Sequence, residues 1–219
     1  MKWFKSKKKS NEKVGLLFDH QGIELQEEDV VLFPERSAVF ASVTPAHEMV
    51  FFPLCSVNMR ILNPEWDFEA HFVYVYREPV EDICLTKYYT TYCGDYSLGF
   101  DCLDGQYSLQ AKTEMLELSP RYEKYQQKAL EKYNRFAKEY RENGWSSVLP
   151  YRATPNFMIK CFGKSPMWIQ TDATPKDLNG APLIFVGQVR VLDFIGEEQY
   201  LYLFYSPKFH YFVQREQYL

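Results

Sequence analysis

Thiols, imidazoles and carboxylates are the side chains in this sequence that could do chemistry, and their spacing decides which chemistry. Cys84, Cys93 and Cys102 recur at intervals of nine residues with His71 upstream, and thiolate and imidazole are the ligands zinc takes. Zinc needs three or four of them converging at about 2.0 to 2.3 Å, usually from close Cys-x-x-Cys pairs. No such pair occurs, so these thiols, with Cys55 and Cys161, read as reduced apolar residues of a core. Asp95, Asp101 and Asp104 offer oxygen to calcium, but their spacing departs from the Asp-x-Asp-x-Asp-Gly loop. The histidines His20, His47, His71 and His210 are scattered, so acid–base chemistry would need folding to pair distant ones. His71 and His210 fall in strand-like runs, where a packed, hydrogen-bonded imidazole is expected. No Gly-x-Ser-x-Gly elbow, no His-Glu-x-x-His helix and no glycine-rich phosphate or dinucleotide loop is present. The sequence therefore points to no catalytic residue, no metal and no cofactor.

The stretch YYTTYCGDYSLGFDCLDGQY, from Tyr88 to Tyr107, suggests another use for such residues. Tyr88, Tyr89, Tyr92 and Tyr96 carry large apolar bodies with polar tips, the side chains that anchor interfaces, while Asp95, Asp101 and Asp104 supply charge. One reading is a partner-binding surface at the end of a strand; the other is an ordinary hairpin whose tyrosines close a core and whose aspartates make turns. Glu27, Glu28 and Asp29 form a second candidate patch.

Charge favours a basic partner. The chain of 219 residues has a formal net charge of −4. Residues 14–118 alone hold five basic residues against 18 acidic ones, a net of −13, balanced by a basic start and a basic helix. An acidic field with aromatic anchors speeds encounter with a basic protein and opposes binding to nucleic acid. No run approaches the roughly 20 apolar residues of a membrane span. Five cysteines, an odd number in no dense framework, fit a reducing compartment and hence a cytoplasmic location.

The elements that must position these groups follow from periodicity. Residues 1–13 read as a basic flexible tail and 14–219 as a single α+β domain, with 14–118 an acidic β-rich lobe and 119–219 a helix followed by a β-meander. VVLF, AVFASV, MVFFPLCSV, HFVYVY and YSLQA are short apolar runs set off by turn residues, which predicts antiparallel strands. HFVYVY places Phe72, Tyr74 and Tyr76 on one face and His71, Val73 and Val75 on the other. A single long amphipathic helix is predicted over about 120–143, with Ser119 as cap, Pro120 at its first turn and Gly144 beyond its end. Tyr122, Tyr125, Ala129, Tyr133, Phe136 and Tyr140 line one face of it, a stripe that should pack on the sheet. After it, TPNFMIKCFG, APLIFVGQVRVL, QYLYLFYS and FHYFVQ read as strands, and DFIGEEQ turns the second into the third. In the second, Leu183, Phe185, Gly187, Val189 and Val191 share a face, and its first half should be buried on both sides.

Over about its last quarter the chain resembles the YwqG-like family of largely uncharacterised bacterial proteins. Pro166, Trp168 and Gln170, then Pro182, Phe185, Gly187 and Gln188, then Tyr202, Phe204 and Tyr205 carry the resemblance. It implies a mixed α+β fold and, for some members, a place beside bacterial toxin genes as immunity proteins; it implies no catalytic residue. Gly187 leaves room for a group to approach the backbone, and Gln170, Gln188 and Gln214 are expected to bracket the sheet by hydrogen bonds. The function expected is binding: an immunity-type protein that covers the active site or substrate groove of a toxin or effector domain. The alternative is a small-molecule- or carbohydrate-binding protein or enzyme with a pocket between helix and sheet, lined by Trp168, Tyr202 and Tyr140; a third is self-association between the basic helix and the acidic lobe.

Overall fold

The computed structural model describes residues 21–76, 85–116, 120–147 and 155–218. The basic tail, Ser119 and Cys84 lie outside them. The fold is α+β, with two sheets and one long helix. The larger sheet has seven strands. Its centre is an antiparallel meander, β7 (Ile159–Phe162), β8 (Ile184–Arg190), β9 (Gln199–Ser206) and β10 (Tyr211–Tyr218). Beyond β10 come β5 (Ser97–Leu103) and β6 (Gln106–Leu109), and β1 (Gln21–Gly22) pairs in parallel with β7. Strands from both halves of the sequence thus share one ladder.

The smaller sheet is β2 (Val30–Leu32), β3 (Phe51–Asn58) and β4 (Glu69–Val75). Both its faces are buried, so the HFVYVY alternation separates two packed faces instead of a core face from a wet one. Phe51 meets Phe40 and Phe100, while Phe52 stacks on Tyr74 and Tyr133. The outer edge of β4 rests on the large sheet. Gln214, wholly buried on β10, accepts from Val73 N–H at 3.0 Å and donates to Val73 C=O at 2.7 Å. His71 N–H donates to the Tyr107 hydroxyl at 2.9 Å. A strand edge buried without such partners would leave orphaned peptide groups, and here side chains of the larger sheet replace the missing strand.

The opposite face of the large sheet is covered by the connection between β7 and β8. Trp168 stacks on Tyr202, with centroids 4.5 Å apart, and on Phe204. Gln188 clamps Met167 through both carboxamide atoms, Gln217 holds residues 169–171, and Gln170 donates to Tyr218 C=O. The glutamines do act as brackets. Lys160 and Asp193, both buried and 2.8 Å apart, tie β7 to the helical turn α5 (Val191–Ile195).

The long helix, α3 (Glu123–Asn143), ends at Gly144 with φ of 60°, which is where the sequence places its stop. Its buried line is Gln126, Ala129, Tyr133 and Ala137, because Gln126 donates to Met49 C=O and Tyr133 to Pro53 C=O. Tyr125, expected in the packed stripe, is 58 % exposed at its margin. Other expectations shift too. AVFASV is not a strand: α1 (Arg36–Val39) turns there, held by Arg36 donating to Phe51 C=O, and the short helix α2 (Pro45–Val50) follows. TPNFMIKCFG begins with the turn α4 (Pro155–Met158). The alternation along β8 breaks at a bulge between Phe185 and Gly187, so Phe185 packs on the covered face while Val186 and Val189 join the main core. Ile184, ahead of the bulge, lies 42 % exposed, so the first half of the strand is not buried on both sides. His210 sits in the β9–β10 turn with φ of 53°, exposed, not within a strand. No described helix is long and apolar enough to cross a membrane.

Candidate functional site

The tyrosine-rich stretch folds into a 3-10 turn, a loop and a hairpin. Tyr88 closes the turn Leu85–Tyr88 half-buried, with the Lys87 ammonium 4.7 Å above its ring. Tyr89 lies over Gly94 and donates its hydroxyl proton to the Asp95 carboxylate. These two tyrosines border a shallow groove whose charged members are Lys87 and Lys112, so this end of the stretch is basic. Tyr92 is buried. Tyr211 donates to its hydroxyl at 2.6 Å, and it donates onward to Lys176 C=O at 3.1 Å. Tyr96, by contrast, stands 60 % exposed beside Tyr218.

Along β5 the chain runs roughly 14 Å from Ser97, at about 3.4 Å per residue, before the charges resume at Asp101. Asp101 is exposed and accepts from the Gln110 carboxamide at 2.6 Å. Asp104 and Gly105, with φ of 51° and 82°, form the two-residue turn into β6, both in the left-handed region that such hairpins require. Leu103, just before that turn, is 71 % exposed. Gly105 packs against Phe68 and Glu69, bringing the turn onto the loop before β4, where Glu65, Asp67 and Glu69 are also exposed. Asp67 pairs with Arg60 at 2.5 Å. The turn thus meets a second acidic segment, while Leu103 shares with Asp101 the other face of β5. The run PEWDFE, which carries three acids in six residues, was the sequence signal for the second segment.

Glu27, Glu28 and Asp29 make a 3-10 turn elsewhere, near the end of α3. Asp29 accepts from Gln26 N–H at 2.7 Å, leaving Glu27 and Glu28 exposed. The ten residues singled out in the sequence therefore fall in three places: the tyrosine loop, the acidic hairpin and this turn.

The thiols among the described residues are placed as packing groups, not for metal or nucleophilic work. Burial raises Cys102 to about 11 and pushes Cys55 and Cys161 upward, so all three stay protonated. Cys93 is buried with its sulfur accepting from Gly99 N–H at 3.2 Å. Among the described residues no group of three or more metal-ligating side chains converges. Trp168 and Tyr202 stack on the covered face of the large sheet, while Tyr140 packs with Phe33 and Trp145 against the main core, so the three do not line one pocket.

What fold and site define together is an α+β protein whose tyrosine-rich stretch and acidic hairpin expose carboxylates, phenols and Leu103. Comparison of the chain with protein-family models, with curated proteins and with solved structures finds no match.

Proposed function

We propose that this protein works by binding a basic protein partner rather than by catalysis, in the manner of a cytoplasmic immunity protein that covers the active site or substrate groove of a toxin. The observation that carries this is the acidic hairpin: Asp101, Leu103 and Asp104 are all exposed, and the Asp104–Gly105 turn packs on the segment that carries exposed Glu65, Asp67 and Glu69. An exposed apolar residue flanked by carboxylates, here Leu103 between Asp101 and Asp104, gives an interface both an anchor and electrostatic steering. The wider surface agrees. Within 21–76 and 85–116 there are 13 carboxylates against four basic residues, and none of the 13 is buried. The resemblance of the last quarter to YwqG-like proteins supports the same class of function.

The test is affinity purification of the tagged protein from its host at low and high salt, beside a variant carrying Glu69→Lys, Asp101→Lys and Asp104→Lys. One basic protein held by the native form at low salt, released by high salt and missing from the variant is the expected result. Retention indifferent to both salt and charge reversal would sink the reading.

A further inference from the structure

A groove of about 520 Å³ runs between α3 and the ends of β4 and β9. Tyr125, Lys128 and Lys132 border it from the helix, Tyr74 and Val75 from β4, and Gln199 from β9. Gln199 is 2 % exposed, and its Nε2 makes no hydrogen bond. That sets it apart from the other buried glutamines of the large sheet. Gln214 clamps Val73, Gln188 clamps Met167 and Gln217 clamps residues 169–171, each using donor and acceptor together on an extended backbone. A carboxamide presents one donor beside one acceptor, the pattern of a peptide group in a neighbouring strand, and it can turn to present either. Leaving such a group buried and unbonded is costly.

The strand edge next to it is buried, yet at Val75 it pairs with no further strand. Tyr76 donates to Val50 C=O on the β3 side, whereas Val73 meets Gln214 on the opposite side. Peptide groups alternate in direction along an antiparallel strand. Val75, two residues from Val73, therefore turns its N–H and C=O away from β3 and toward the groove. Charge adds direction: Glu197 and Glu198 also line the groove, but Glu197 pairs with Lys132 at 3.3 Å and Glu198 with Arg190 at 3.4 Å, leaving Lys128 without an ion-pair partner among the described residues.

We propose that this groove takes an extended segment of another polypeptide as an added strand, its backbone held by Val75 and the Gln199 carboxamide and an acidic side chain set opposite Lys128. The site prefers the opposite charge to the hairpin tip and does not depend on the function proposed for that surface.

The experiment pans a displayed library of random heptapeptides against the full chain and measures the best synthetic peptide by calorimetry. The expected peptides carry Asp or Glu and lose at least tenfold in affinity when their central amide is N-methylated, which removes a strand hydrogen bond. Gln199→Met, which keeps side-chain length but drops the carboxamide, costs tenfold or more in affinity while its melting temperature stays at or above that of the native protein. Lys128→Glu shifts preference to the same peptide with Lys in place of its acid. Failure of any peptide to enrich over a protein-free control overturns the proposal. So does binding untouched by both N-methylation and Gln199→Met, the outcome expected if the peptides sit on the acidic hairpin, where Asp104→Lys would abolish it.

Discussion

His71 shows how a polar residue is kept in this core. Its Nδ1 accepts from the Ser56 hydroxyl at 2.6 Å and its Nε2 donates to Gly105 C=O at 2.8 Å, the only tautomer that serves a carbonyl acceptor. Burial pulls the imidazole down from its usual range to about 4. Protonation would bury a positive charge among Ser56, Tyr107 and β4, so the folded protein refuses the proton that the unfolded chain accepts near pH 6.5. The contribution is fully present above that pH and is lost as pH falls toward 4, in total about 3 kcal/mol. Urea denaturation between pH 7.5 and 4.5 should show this fall in the native protein and a much flatter profile in His71→Gln. Equal slopes in the two proteins would mean that the carboxylates, not His71, set the acid sensitivity.

Between elements, the contact between the sheets hangs on a glycine. A Cβ on Gly187 would stand 3.0 Å from Cys161 O, 3.1 Å from Phe162 and 3.2 Å from the ring of Phe72. Strand backbone and two rings cannot all give way, so Gly187→Ala is expected to cost about 1–3 kcal/mol by overpacking, read as a lower urea midpoint with unchanged slope. A midpoint within error of the native value would show that Phe72 has room to move. The sequence marks this glycine as a place of close approach, and it marks the meander and the helix as plainly, because Gly144 and a 3.6-residue spacing leave little choice. What it hides are contacts set by distant residues. Gln126 displaces Tyr125 from the packed line because Met49 C=O lies above it. Arg36 winds AVFASV into a turn because Phe51 C=O is in reach. The bulge at Phe185 and Gly187 moves every later side chain of β8 to the other face, and periodicity assumes no bulge.

At the scale of the whole molecule, charge is segregated, and that segregation divides what was legible in the candidate site from what was not. The acidity of residues 14–118 is a matter of counting, so a surface of that sign was readable; its grouping was not, because β5 carries Asp104 away from Asp95 and the fold brings Glu65, Asp67 and Glu69 to meet it. Crowded carboxylates repel one another, and their mutual repulsion weakens the compact state until salt screens it. Opposing this are attractive surface pairs, Arg141 with Glu35 at 2.9 Å and Lys132 with Glu197 at 3.3 Å, each worth little when exposed. Repulsion should win. Raising sodium chloride from about 20 to about 300 mM, which shortens the screening length severalfold, is therefore expected to raise the urea midpoint by roughly 0.3 M. The combined variant Glu69→Gln, Asp101→Asn and Asp104→Asn should already be more stable at low salt and gain less from screening. If salt instead lowers the native midpoint, the ion pairs made by the helix outweigh the repulsion. A gain in stability on neutralising the tip, coupled to loss of the partner, would show that this surface is held strained for binding.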